Sequence, residues 1–192
     1  MDKGGECVIY DINCLTFYCI YDIIMVKINK KAKVISFPND YGRDQFAPYL
    51  NVLGKKAKSN HKYRVQLAYL YKALDFMQFV DFTNLPTSSN RFFQELEITV
   101  DGKTYSKSFE LIKPLDKENI YELRINIEES EWRFRAIFFP YTYEGVQYYC
   151  FIYPFEKKLQ VQFDLTNQYR DKAYSIYYNL NQETSKYVKY FK

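Results

Sequence analysis

The chain has 192 residues, of which 47% are hydrophobic and 26% charged, with a formal net charge of +4. This length supports one domain with a real core, and the apolar content excludes a disordered chain. The mild basic excess permits nucleic-acid binding without demanding it, so the placement of the cations carries more weight than their number.

Cys7, Cys14 and Cys19 crowd the start, Cys150 stands alone, and no CxxC pair occurs. His61 is the single histidine, so no zinc-ligand pattern can be assembled, and neither a metal nor a small-molecule cofactor is expected. A reducing cytoplasm fits this cysteine usage. Asp11 and Asp22 interrupt the apolar stretch 7–28, which argues against a membrane span. No basic stretch leads into an apolar run and a small-residue cleavage site, which argues against a signal peptide. Met25 reads as an ordinary cytoplasmic start, so residues 1–24 are expected to be a spurious or loosely attached extension of a single domain whose core spans 33–180.

Residues Ala32–Phe37 read as a strand, closed by the turn Pro38-Asn39-Asp40-Tyr41-Gly42. Asp44 is placed to cap a short helix carrying Phe46, Tyr49, Leu50 and Leu53, with Pro48 in its first turn and Gly54 at its end. Ser59 or Asn60 caps a longer helix whose stripe is Tyr63, Leu67, Leu70, Tyr71, Leu74 and Met77. No acidic residue lies between Asp44 and Asp75, whereas Lys55, Lys56, Lys58, Lys62, Arg64 and Lys72 all do. The two helices read as an α-hairpin with a basic patch at its turn. The bland reading of this patch is a solvated helix surface.

Asp101-Gly102, between alternating segments, predicts a type I′ hairpin over 96–109. Strands are then expected at Ile120–Ile127, Trp132–Phe139 and Val146–Phe155, and a C-terminal helix at Gln168–Leu180. Strand alternation puts Leu123 and Ile125 on one face and Glu122, Arg124 and Asn126 on the other. By the same rule Arg133 and Arg135 oppose Trp132, Phe134 and Ala136. The apolar set is expected to pack on the α-hairpin. Arg124, Arg133 and Arg135 then share the far face, with Tyr149, Tyr153, Lys157 and Lys158 alongside. The bland alternative is a solvated sheet face with weak surface ion pairs.

Several of these pieces occur together. Gly42-Arg43 precedes the short helix, and Tyr63–Met77 forms the long one. Glu122-Leu123-Arg124, Arg135-Ala136-Ile137-Phe138-Phe139 and Phe155-Glu156-Lys157-Lys158 follow in order. The set resembles the HigB-like, phage-derived branch of the RelE/ParE toxin superfamily. It departs from that pattern in three places. Tyr153-Pro154 stands where the family often has His-Gly, Leu159-Gln160-Val161-Gln162 replaces a Thr-Pro pair, and the 96–109 hairpin is an insertion. The resemblance implies an α+β, RelE-like fold: an N-terminal α-hairpin on an antiparallel-rich sheet, with the inserted hairpin and a C-terminal helix. It also implies a toxin that cuts mRNA on the ribosome without metal, the substrate's own 2′-hydroxyl attacking the adjacent phosphate. In that chemistry Arg124 and Arg135 hold the phosphate and Lys157 or Lys158 is a second cation or proton source. Tyr153 orients or relays a proton if nearby cations lower its pKa. Lys55, Lys56, Lys58, Lys62, Arg64, Lys72 and Arg133 would contact RNA. The partners implied are a small helix-turn-helix antitoxin, the ribosome and mRNA, with no membrane. The competing readings are a non-catalytic protein- or RNA-binding module of the same fold and a ParE-like gyrase inhibitor.

Overall fold

The computed structural model describes residues 29–88, 90–158 and 164–191. The proposed start at Met25, the three N-terminal cysteines and Leu159-Gln160-Val161-Gln162 lie outside these residues. The elements are β1 (Ala32–Ser36), α1 (Phe46–Ala57), α2 (His61–Met77), β2 (Phe92–Val100), β3 (Lys103–Pro114), β4 (Tyr121–Ile127), β5 (Trp132–Tyr143), β6 (Val146–Glu156) and α3 (Leu165–Gln182). The six strands form one sheet in the order β1-β6-β5-β4-β3-β2. β1 runs parallel to β6, and every other pairing is antiparallel. The fold is therefore α+β with a mixed, mostly antiparallel sheet.

Local chemistry explains the helix starts. Asp44 accepts the Ala47 N–H at 3.2 Å and is held by the Ser36 hydroxyl, so it serves the cap role expected of it. Asn60 accepts the Lys62 N–H at 2.9 Å and caps α2. Gly54 does not end α1. The helix continues to Ala57 because Leu53 and Ala57 both bury against the core, which outweighs a glycine cost of about 1 kcal/mol. The buried stripe of α2 is Gln66, Tyr69, Leu70, Ala73, Leu74 and Met77, turned from the expected one. Tyr63, Leu67 and Tyr71 are half-buried, because α2 packs against both α1 and the sheet. The turn Asp101-Gly102 has φ of 51° and 76°, as a type I′ hairpin requires, and Glu144-Gly145 repeats it at 48° and 77°.

Two cores lie on opposite faces of the sheet. On the α-hairpin side, Leu50, Leu70 and Met77 meet Leu123, Ile125, Phe134 and Phe138. On the other, Ala173, Ile176 and Leu180 of α3 meet Ile137, Phe139, Cys150 and Ile152. The face expected to carry solvated arginines is thus covered over much of its area by α3. Double coverage also accounts for the unbroken apolar runs of β5 and β6, which an alternating, half-exposed strand would not show.

One irregularity moves a candidate residue. Ile137 pairs with Tyr153, yet Phe138 pairs with Phe151, so Ile152 is an extra residue on β6. Such a bulge reverses which face later residues occupy. Tyr149 consequently points to the α-hairpin core, where its hydroxyl donates to the Val80 carbonyl at 2.9 Å, while Tyr153 points to the α3 core. The expectation that both tyrosines flank the arginines is corrected for Tyr149.

Candidate functional site

β3, β4 and β5 bring a row of charged side chains onto the α3 face. Arg124 donates to Glu110 at 2.5 Å, and its Nε lies 3.5 Å from Glu122. Arg135 Nε lies 3.5 Å from the same Glu122 oxygen, and its Nη1 donates to Asn126 at 2.8 Å and to the Phe134 carbonyl at 2.7 Å. The other Glu122 oxygen accepts the Thr166 hydroxyl at 3.1 Å, in the first turn of α3, where a helix N-terminus favours a carboxylate. Arg124 and Arg135 are thus brought together as predicted, their Cα atoms directly paired across the ladder. Each is engaged by a carboxylate.

Burial separates the two. The Arg135 and Glu122 side chains are each 5% exposed, against 22% for Arg124. Burial pulls the Arg135 guanidinium down to about 10, Glu122 opposes that shift, and Arg124 and Arg133 add to it. The group still carries its charge at neutral pH. A phosphate reaching Arg135 would have to displace Glu122, which leaves a buried carboxylate unpaired.

Arg133 is half-buried and lies on the same face, one alternation further along β5. The Lys157 N–H donates to the Arg133 carbonyl at 2.8 Å, extending the β5–β6 ladder by one step. Continued alternation from Phe155 puts Lys157 on the α3 face beside Arg133. Lys157 and Lys158 are exposed, and neither meets a carboxylate among the described residues.

Tyr153 is 1% exposed. Its ring stacks on Tyr169 at 4.7 Å and 7°, and its hydroxyl donates to Asp40 at 3.1 Å. Burial first, and Asp40 second, push the phenol above its ordinary range. The condition for proton transfer, a lowering by neighbouring cations, is not met: the phenol is raised, and it donates its proton to a carboxylate. Tyr153→Phe should cost about 1 kcal/mol, the usual worth of one such bond, in a denaturant titration.

The second candidate region is the α1–α2 turn. Lys55, Lys56, Lys58 and Lys62 are exposed there, and the Lys56 ammonium lies 5.2 Å from the Tyr63 ring centroid. Lys55 and Lys56 suit the negative end of α1. Lys62 and Arg64 oppose the positive end of α2, whose first turn holds no acidic residue. Arg64 is diverted: its Nε and Nη2 donate to Asp101 at 2.9 and 2.8 Å. Lys72 is exposed but stands ten residues beyond Lys62, roughly 15 Å along α2. The patch therefore narrows to four lysines.

His61 joins the same hairpin tip, with Nδ1 2.7 Å from Asp101 and Nε2 3.1 Å from the Tyr105 hydroxyl. His61 and Arg64 hold the Asp101 carboxyl below its ordinary range. A depressed acid contributes stability that is full above its unfolded pKa, about 4, and is lost as pH falls through the folded value. The melting-temperature advantage of the native chain over Asp101→Asn should therefore be present above about pH 4 and shrink as pH falls below it.

Glu110, Thr166 and Asp40 are the partners that sequence reading missed, whereas alternation had already put Asn126 on the face of the arginines. Glu110 had a visible signal, as an acidic residue among apolar neighbours on a strand. Its facing depends on the bulge at Leu111, between the pairs Phe92–Ile112 and Phe93–Glu110.

Among the described residues no group of three His, Cys, Asp or Glu side chains is arranged to hold a metal ion, and no helix is long and apolar enough to cross a membrane. Comparison with protein-family models, with curated proteins and with solved structures finds no match for this chain.

Proposed function

We infer that the protein is a non-catalytic RNA-binding module whose contact surface is the α1–α2 turn. The observation that carries this reading is the placement of Lys55, Lys56, Lys58 and Lys62 at one exposed turn, with Lys62 set against the helix dipole. Helix stability gives no reason for a cation there, and phosphate binding does. Tyr63 adds aromatic surface beside Lys56, the combination that single strands favour. The test is binding of a fluorescent single-stranded RNA as a function of salt, with the four lysines intact and replaced.

A second reading, the ribosome-dependent endoribonuclease of a toxin–antitoxin pair, is favoured by one observation. Arg133, Arg135 and Lys157 follow one another on one face at one end of the sheet. It requires Glu122 to release Arg135 when RNA arrives. Its partners would be a small helix-turn-helix antitoxin and the translating ribosome. Primer extension on total RNA after induction separates the two: codon-linked cleavages that vanish in Lys157→Ala belong to the nuclease, and intact messages belong to the binding module.

A further inference from the structure

β4 is shorter than β5. Its first residue, Tyr121, pairs with Phe138, and beyond that point β5 continues to Tyr143 with β6 as its only strand neighbour among the described residues. The two-residue turn Glu144-Gly145 closes on the pair Tyr143–Val146, which must then be a hydrogen-bonded pair. Alternation from that pair sends the backbone groups of Tyr143, Tyr141 and Phe139 toward β6. Those of Thr142, Pro140 and Phe138 point the other way, toward the line of β4. Pro140 confirms the phase, since a proline here costs no ladder bond only if its nitrogen faces away from β6. The Thr142 N–H and the carbonyls of Pro140 and Thr142 therefore face the space where β4 has ended.

That space is a cleft of about 380 Å³. Phe82 and Leu85 wall it on the α-hairpin side, Tyr177 and Asn181 of α3 on the other, and Tyr121 closes its end. Thr142 and Asn181 are exposed at its mouth. Among the described residues that line it, none is charged. The Asn119 amide is already spent on the Tyr177 hydroxyl at 3.0 Å, and the Tyr141 hydroxyl pairs with Thr184 at 3.1 Å. The cleft thus offers backbone hydrogen-bonding groups in strand geometry between two aromatic walls, which is what an extended peptide recognises.

We propose that this cleft binds a short, uncharged, extended peptide segment of a partner protein, which adds to β5 as a strand continuing the line of β4. The absence of charge in the lining excludes acidic and basic peptides, whose side chains would be desolvated without a partner. The incoming strand donates to the Pro140 and Thr142 carbonyls and accepts from the Thr142 N–H. The position opposite Pro140 receives no donor. This site is independent of the lysine turn and does not rest on RNA binding.

The experiment is selection of a random decapeptide phage library on the full chain, followed by affinity measurement of synthetic copies of the enriched peptides. Thr142→Pro removes the one outward donor without touching the β6 ladder, and Asn181→Trp fills the cleft from α3. Uncharged, aromatic or β-branched peptides are expected, each weakened at least tenfold by either variant. The Thr142 amide should exchange at least tenfold more slowly once such a peptide is bound. If Thr142→Pro does not fold, Asn181→Trp and the amide measurement decide. No enriched peptide, peptides indifferent to both variants, or a Thr142 amide already protected in the free chain would each overturn the proposal.

Discussion

Glu122→Gln should lower the unfolding free energy by about 3–5 kcal/mol, a drop in melting temperature of roughly 10 °C for a chain of this size. Among the described residues this carboxylate is the only one within ion-pair distance of the buried Arg135, and it sits between that residue and Arg124. Removing its charge leaves a guanidinium that is 5% exposed without a counter-ion. The Thr166 hydroxyl can still bond to the glutamine, so the loss reports the ion pair rather than the α3 contact. Arg135→Met in the same background should recover part of the loss, because the charge that needed compensation is gone. The single and double variants together give the coupling between the two residues. A cost below 1 kcal/mol, with stability restored by inorganic phosphate, would mean instead that Arg135 is open to anions. That result would move the functional reading toward RNA cleavage.

The geometry of this pair was half legible in the sequence. Alternation alone put Arg124 and Arg135 on one face with Glu122, whereas their direct pairing across the ladder comes from the structure. The cover over the face was not legible. Ala173, Ile176 and Leu180 announce that α3 has an apolar side, but nothing local says which surface it seeks. Arginines on a naked sheet invite a ligand, whereas the same arginines beneath a helix need internal counter-ions. That difference turns a candidate phosphate pocket into a structural ion network.

Tyr149 and Tyr153 show a second limit. Four residues apart on a regular strand, they belong on one face. The added residue Ile152 puts them in separate cores. The adjoining Pro154 gives a partial signal, since a proline in a strand interior marks an edge or a bulge. It sits where β1 no longer flanks β6, because the last β1 partner is Phe151. By contrast, the α-hairpin, its Asn60 cap and the Asp101-Gly102 turn were legible because each depends on contacts within a few residues. Arg64 illustrates the boundary. Its helix position was readable, but its partner Asp101 arrives from 37 residues away through the hairpin.

Replacing Lys55, Lys56, Lys58 and Lys62 together by glutamine should flatten the salt dependence of RNA binding. Each phosphate contact on a single strand contributes about 0.7 to the slope of log Kobs against log salt, so four lost contacts reduce its magnitude by about 3. Affinity at low salt should fall by two or more orders of magnitude, while the melting temperature stays within a few degrees, because exposed lysines contribute little to folding. A removed cation at the N-terminus of α2 should even stabilise that helix slightly. Lys72→Gln is the internal control: it lies far along α2 from the turn and should leave the slope unchanged. Arg133→Gln with Lys157→Gln tests the rival surface at the sheet end. If that pair, and not the four lysines, removes the salt dependence, RNA docks at the end of β5 and β6, and the α1–α2 turn is only a solvated surface. If the four lysines remove it and messages stay intact on induction, binding without scission stands. The reason is then the physical one visible around Glu122: the arginines that would bind a phosphate for cleavage are already neutralised inside the fold.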